Sequence, residues 1–498
     1  MKKFKLFLAA FVATLFAFAG VKASAYTLTI DHVADNHTYE AYQVFSGTLA
    51  SDGKTLSDIQ WGNGVTPFTF KDKSEAAEIA KAIEGQEVDS DDAKAFSKVA
   101  GANLTTPAAS AESKDGQAVL TVAAPGYYLV KDKDGKQNDK YSAYTRFMME
   151  VAGDVTARVK NDRPTVQKKV KETNDSTGTT TDWQDAADYD INDTVPFQLK
   201  ATLPIHIDDY EHYYVEFTDT LSAGLTFDKI TLVKADNTIL KEDQYQVSKT
   251  ENKDGTTTLS VIITDVKAVS GISKDDKEVT VEYNATLNDK AVLGSAGNPN
   301  SVELTYSNNP NATGDGTSKP ADTGKTPKDT VKVFTYQTII NKLNENKEAL
   351  KGAGFTLSKK DKDGNWNTVK AIAAGEATRF EFKGLDAGDY KLEETTTPDG
   401  YNTIKPIEFT IDAKYDVESA DPQLTELSTN VTSGDVKSDD FKSNLSDGSL
   451  TVGIVNRKGS LLPSTGGMGT TILYVVGSIL VLVAAILFIT KKRMDAAK

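Results

Sequence analysis

Tyr390-Lys391-Leu392-Glu393-Glu394-Thr395 is the stretch that sets the fold class. Side chains two apart on a strand share a face, so Tyr390, Leu392 and Glu394 point the same way. If that face meets a core, Glu394 is a buried carboxyl, and a buried charge is costly unless it is paired. Partners of matching parity stand on either side. Upstream, Ile340 and Lys342 share a face; downstream, Val452, Ile454 and Asn456 do.

The same order occurs earlier in the chain. Val166, Lys168 and Val170 form one apolar face interrupted by a lysine. Val215, Phe217, Asp219 and Leu221 form a second, and Leu304, Tyr306 and Asn308 a third. A single lysine of this kind reads most simply as a strand-edge side chain that snorkels to water. Two triples in the order lysine, acid, asparagine favour burial. Lys169 adjoins Lys168 and is its alternative; parity selects Lys168.

Chemistry gives the triples a purpose. Burial disfavours charge, so it lowers a lysine pKa and raises a carboxyl pKa. A neutral amine is a nucleophile, and a protonated Asp219 or Glu394 can polarise a neighbouring carboxamide. Held together by the fold, such a pair reacts at high effective molarity. The product is a Lys–Asn isopeptide bond with loss of ammonia. The chain has no cysteine, although a secreted protein is free to use disulfides; an isopeptide tie would serve instead.

Tyr390-Lys391-Leu392-Glu393-Glu394-Thr395-Thr396-Thr397-Pro398-Asp399-Gly400-Tyr401 resembles the pilin E box, YxLxETxAPxGY, departing only where Thr397 replaces Ala. Phe217-Thr218-Asp219-Thr220-Leu221 with Tyr306-Ser307-Asn308-Asn309-Pro310 resembles the fimbrial isopeptide-forming D2 domain. Over nearly its full length the chain resembles the backbone (major) pilins of Gram-positive sortase-assembled pili, especially streptococcal ones. The resemblance implies a mainly β protein with tandem immunoglobulin-like β-sandwich domains, CnaA-like and then CnaB-like. It also implies the linked pairs Lys168–Asn308, promoted by Asp219, and Lys342–Asn456, promoted by Glu394.

Both ends read as processing signals. Residues 1–25 form a secretory signal peptide, with Met1-Lys2-Lys3-Phe4-Lys5, an apolar Leu6 to Gly20 and the small-residue site Ala23-Ser24-Ala25. Residues 459–498 contain Leu462-Pro463-Ser464-Thr465-Gly466, an apolar run over 471–490 and Lys491-Lys492-Arg493. Twenty residues at about 1.5 Å each span a bilayer core of about 30 Å, and the basic residues stay on the cytoplasmic side. This order resembles the LPxTG cell-wall sorting signal, which implies cleavage between Thr465 and Gly466 and transfer of the Thr465 carboxyl to an amine by a sortase.

Three domains are expected between these ends. Residues 26–161 read as an α+β N-terminal domain with strands at Tyr26 to Ile30 and Tyr39 to Val44. Helices are expected over Glu75 to Glu84, capped by Ser74, and over Asp91 to Ala100. Residues 162–336 read as a β-sandwich of evenly spaced strands, with Asn308 to Thr330 a long exposed loop. Residues 337–458 form the E-box domain.

The resemblance also implies an acceptor amine, which in much of the family is a lysine in a YPKN-like motif at the end of the first domain. Here the corresponding stretch is Ala157-Arg158-Val159-Lys160-Asn161, of which only Lys160-Asn161 matches the motif; Lys160 has outward parity, and other surface lysines, among them Lys71 and Lys73, are its alternatives. The opening strand offers no lysine to Asn161, so no isopeptide bond is expected in the first domain. The implied partners are a pilus-specific sortase, neighbouring copies of the chain, minor tip and base pilins, peptidoglycan through a housekeeping sortase, and a host surface. The implied location is the cell surface, anchored to the wall.

With 39% hydrophobic and 26% charged residues and a net charge of −15, the chain is not built for nucleic acid or an anionic membrane surface. No cofactor or metal is expected. Asp132-Lys133-Asp134-Gly135 and Asp361-Lys362-Asp363-Gly364 lack the calcium-loop ligand pattern and read as hairpin turns. His32, His37, His206 and His212 lack metal or triad spacing. The reading is of a structural shaft subunit and not a turnover enzyme. The alternative, a wall-anchored adhesin or minor pilin, differs only in lacking the acceptor lysine.

Overall fold

The computed structural model describes residues 25–87, 90–133, 144–158, 163–269, 272, 277–459 and 468–495. Alternating strands dominate, and they assemble into three successive modules.

In the first, Tyr26–Asp31 lies between Gln117–Val122, antiparallel to it, and Val155–Arg158, parallel to it. A second sheet runs Leu56–Trp61, Thr38–Leu49, Gly126–Asp132, Arg146–Val151. The helices Ala76–Ile83 and Asp91–Ala102 bury Ile79 and Phe96. Ser90 caps the second helix by accepting the Ala93 N–H at 3.2 Å. The first helix begins later than expected: Glu75 holds its cap position, and no side chain bonds there.

The second module is a sandwich. One sheet carries Thr165–Val170 at its edge beside Thr194–Thr202, then Glu278–Leu287 and Leu225–Ala235. The facing sheet places Val215–Leu221 beside Asn298–Ser307, followed by Asp329–Phe334. Inward residues such as Phe197, Leu199, Phe217, Val281 and Leu304 are fully buried. Asn308 to Thr330 is not simply an exposed loop. Thr323–Lys325 pairs with the end of Asn298–Ser307, and Asn309, Pro320 and Thr326 are buried. Polar tethers hold it, including Asn309 to Asp322 at 2.9 Å and the Leu304 N–H to Thr326 at 3.0 Å, so its low apolar content is no guide to its exposure.

The third module pairs its first strand, Tyr336–Leu343, in parallel with its last, Ser449–Val455. Facing them, Gly354–Lys360, Gly388–Thr396 and Ile407–Tyr415 lie side by side. A separate helix, Met468–Asp495, follows. Its segment Thr471–Met494 has 24 residues and contains an 18-residue stretch of mean hydropathy 3.0, enough to cross a bilayer; the expected run 471–490 lies within it.

The second and third modules meet at a polar joint. Lys359 donates to Asp386 at 2.5 Å, Asp190 at 2.8 Å and Asp175 at 2.9 Å. Asp175, Asp190, Asp193 and Asp386 lie close enough to share a cation, and the Lys359 ammonium already bonds three of them. Gly294 and Gly448, both at positive φ, touch across the joint: a Cβ on Gly294 would lie 2.3 Å from the Gly448 nitrogen.

This joint titrates. Burial raises Glu172 to about 7 and Asp193 to about 6, with neighbouring carboxylates adding to both. Burial also raises Asp188 and Asp386. A carboxyl raised in the folded state binds more protons than in the unfolded chain, so stability rises as pH falls through the raised values. Lys359, itself raised, titrates above this window. The ectodomain is expected to melt at a higher temperature at pH 5.5 than at pH 8, and Asp193→Asn should flatten part of that difference. A melting temperature that falls on acidification to pH 5.5 would contradict it.

Candidate functional site

The third module brings its predicted triple together. Lys342 opposes Ile454 in the parallel pair, and Asn456 follows directly after that last strand, its N–H donating to the Leu343 carbonyl at 3.0 Å. Glu394 reaches in from the facing sheet. The Lys342 Nζ donates to Asn456 Oδ1 and lies 3.3 Å from Glu394 Oε1, with both side chains at 0% exposure. Asn456 Nδ2 donates to Glu394 Oε1 at 2.8 Å and to Oε2 at 3.0 Å. The Ile404 N–H also donates to Oε2, at 3.1 Å. Glu394 therefore touches both nitrogens of the pair. Burial lowers the Lys342 pKa, and Glu394 opposes the shift. Thr397, at the E-box departure, sits 2.7 Å from the Thr403 hydroxyl and 3.5 Å from Glu394, so its stronger bond is to Thr403.

In the second module parity selects correctly between the adjacent lysines. Lys168 is fully buried, whereas Lys169 pairs with Asp185 at 2.6 Å on the partly exposed side. The Lys168 Nζ meets Asp219 Oδ2 at 2.6 Å and the Tyr283 hydroxyl at 2.9 Å. Desolvation pushes the Lys168 pKa down to about 8 against the pull of Asp219.

The asparagine that joins this cluster is Asn300, not Asn308. Asn300 is fully buried, and its Nδ2 donates to the Tyr283 hydroxyl at 2.7 Å. Asp219 pairs with Val302 in the sheet register. Asn300 stands two residues from that point and Asn308 six, about 20 Å along the strand. Asn308 instead lies at the junction with the first module, its carbonyl accepting the Tyr144 N–H at 2.6 Å. Close by, the Arg146 guanidinium bridges Ser97 at 2.9 Å and Asn311 at 2.5 Å. Asn300, Val302, Leu304, Tyr306 and Asn308 all share parity, so alternation fixed the face without fixing the position along it. Tyr283 was missed as well; its place among the inward residues Val279, Val281, Ala285 and Leu287 was the available signal.

Lys160, Asn161 and Leu462 to Gly466 lie outside the described residues. Of the histidines, His37 meets Asp132 at 3.1 Å and His212 meets Asp265 at 2.7 Å.

Residues 191–310 match the family model for the Gram-positive pilin backbone subunit 2, Cna-B-like domain, and residues 337–423 that for the SpaA prealbumin-like fold domain. The trypsin-resistant surface T6 protein of Streptococcus pyogenes serotype M6 is 22% identical over 545 residues, covering 94% of each chain. The chain is thus similar, over most of its length, to Gram-positive backbone pilins. The solved T6 backbone pilin of S. pyogenes serotype M6, described as a modular three-domain structure, shares this chain's fold at a TM-score of 0.53 and 18% identity. It covers 88% of this chain and 100% of its own. The full-length major pilin SpaD of Corynebacterium diphtheriae aligns at a TM-score of 0.49 and 18% identity over 89% of this chain and 100% of its own. The Cna-B-like family model thus covers the second module. The family is structural, not enzymatic.

Proposed function

We propose that this pilin is the shaft subunit of a covalently polymerised surface pilus, braced by an internal Lys–Asn bond in each of its second and third modules. The observation that carries the internal bonds is the Lys342–Glu394–Asn456 contact set, fully buried and located where the first and last strands of the module end together. In each bond the lysine Nζ attacks the asparagine Cγ, the carboxamide nitrogen departs as ammonia, and the buried acid promotes the proton transfer from the first nitrogen to the second. The linked pairs are Lys342–Asn456 with Glu394, and Lys168–Asn300 with Asp219.

The subunits are joined by sortase through Thr465 to Lys160 of the next copy, and the helix Met468–Asp495 holds each subunit at the membrane until that transfer. Minor tip and base pilins complete the fibre, peptidoglycan receives its base, and a host surface is its target. The relative's description as a surface protein supports the location.

The test is the size ladder of cell-wall extracts boiled in detergent. Lys160→Ala is expected to abolish the high-mass ladder while leaving monomer abundant. A ladder that persists would move the acceptor to another lysine, and the absence of a ladder from the wild type would end the shaft reading.

A further inference from the structure

The two clusters differ in how the acid reaches the asparagine. Glu394 contacts both nitrogens directly, at 3.3 Å from Lys342 Nζ and 2.8 Å from Asn456 Nδ2. Asp219 is one methylene shorter. It reaches Lys168 at 2.6 Å and Tyr283 at 2.6 Å. The Tyr283 hydroxyl spans the remaining gap, 2.9 Å from Lys168 Nζ and 2.7 Å from Asn300 Nδ2.

We infer that Tyr283 is a catalytic proton relay for the bond in the second module, passing a proton from the attacking Lys168 nitrogen to the departing Asn300 nitrogen. The inference rests on reading this cluster as a cross-linking site. As neutral Nζ bonds to Asn300 Cγ, it becomes positively charged and must lose a proton. Nδ2 must gain one to leave as ammonia. The phenol oxygen accepts the first proton while its own O–H supplies the second, so Tyr283 ends unchanged and no other reactant is needed. The products are the Lys168–Asn300 amide and one ammonia.

Two features support a concerted exchange. Burial, the charge of Asp219 and its hydrogen bond push the Tyr283 pKa well above the usual phenol range, which disfavours a free phenolate. Asp219 Oδ1 and Asn300 Oδ1 are buried without a hydrogen-bond partner among the described residues, so the direct link from this cluster's lysine and acid to the carboxamide nitrogen runs through the phenol. Stacking on Phe197, with centroids 5.3 Å apart, fixes the ring.

The experiment is a short pulse of synthesis of the full chain, followed at intervals by mass analysis of the Lys168–Asn300 and Lys342–Asn456 linked peptides. Tyr283→Phe is expected to slow the first bond at least tenfold and leave the second at the wild-type rate. Adding Asp219→Glu to Tyr283→Phe should recover part of the loss, because the longer acid can touch both nitrogens as Glu394 does. Site-specific Tyr283→3,5-difluorotyrosine keeps the ring and hydroxyl but changes their acidity; a relay predicts an altered rate and a mere spacer predicts none. Unchanged rates in both the Phe and difluorotyrosine variants would overturn the relay. A wild type that never forms the first bond would instead overturn the cross-linking reading beneath it.

Discussion

Glu394→Ala is expected to leave the third module uncross-linked, heavier by one ammonia after allowing for the substituted side chain, and the least stable of the single variants. The proposed Lys342–Asn456 bond would close a loop with a sequence separation of 114. Closing a loop of about 100 residues stabilises by about 4.7 kcal/mol in the chain-entropy treatment. For a domain of about 120 residues each kcal/mol moves the melting temperature by about 4 °C, so the bond alone accounts for about 15–20 °C. Glu394→Ala also strips Lys342 of its countercharge in a dry site, a loss of about 3–5 kcal/mol when a buried pair is broken. Part of that is relieved because burial already disfavours the charged amine. Asn456→Ala separates the two effects: the cross-link is lost while the Lys342–Glu394 pair is kept. Calorimetry should therefore place Asn456→Ala below wild type and Glu394→Ala below both. If Glu394→Ala still lacks the ammonia, the carboxyl has no part in the reaction.

Asn300→Ala and Asn308→Ala should behave oppositely, and the contrast is close to all-or-none. Asn300→Ala removes the carboxamide held by Tyr283, so the second module should show no ammonia loss and no cross-link, and should be less stable by about 5 kcal/mol, the worth of a loop of about 130 residues. Asn308→Ala should retain the cross-link in full, because the Asn308 backbone carbonyl that meets Tyr144 survives the substitution. Peptide mapping reads the result directly. A Lys168–Asn308 linked peptide would reverse the assignment made here.

The difference between the two clusters explains what the sequence could convey. In the third module the pattern sufficed, because Asn456 stands at the end of a strand beside Lys342 and only one asparagine has the right parity there. In the second, the ten-residue strand Asn298–Ser307 and the residue that follows it put Asn300 and Asn308 in the same parity, and period-two alternation cannot choose between positions eight apart. Strand pairing chooses, through Asp219 opposite Val302. The joint around Lys359 was illegible for another reason. Its carboxylates come from Asp175, Asp190 and Asp386, segments that only the packing of two modules brings together. Each of these reads in sequence as an ordinary solvated acid.

The position of Asn300 also decides how a pulled fibre would stretch. With the proposed bond in the third module, tension entering at Tyr336 would pass along one strand to Lys342, cross to Asn456 and leave, so the residues between would carry no load. With the proposed bond in the second module, tension would cross from Lys168 to Asn300 but then follow the backbone on to Phe334. That segment of about 34 residues, held by hydrogen bonds and side-chain packing alone, contains roughly 100 Å of extended chain. The fibre would thus alternate inextensible links with short ones that pay out and recoil, absorbing a tug before any covalent bond is strained.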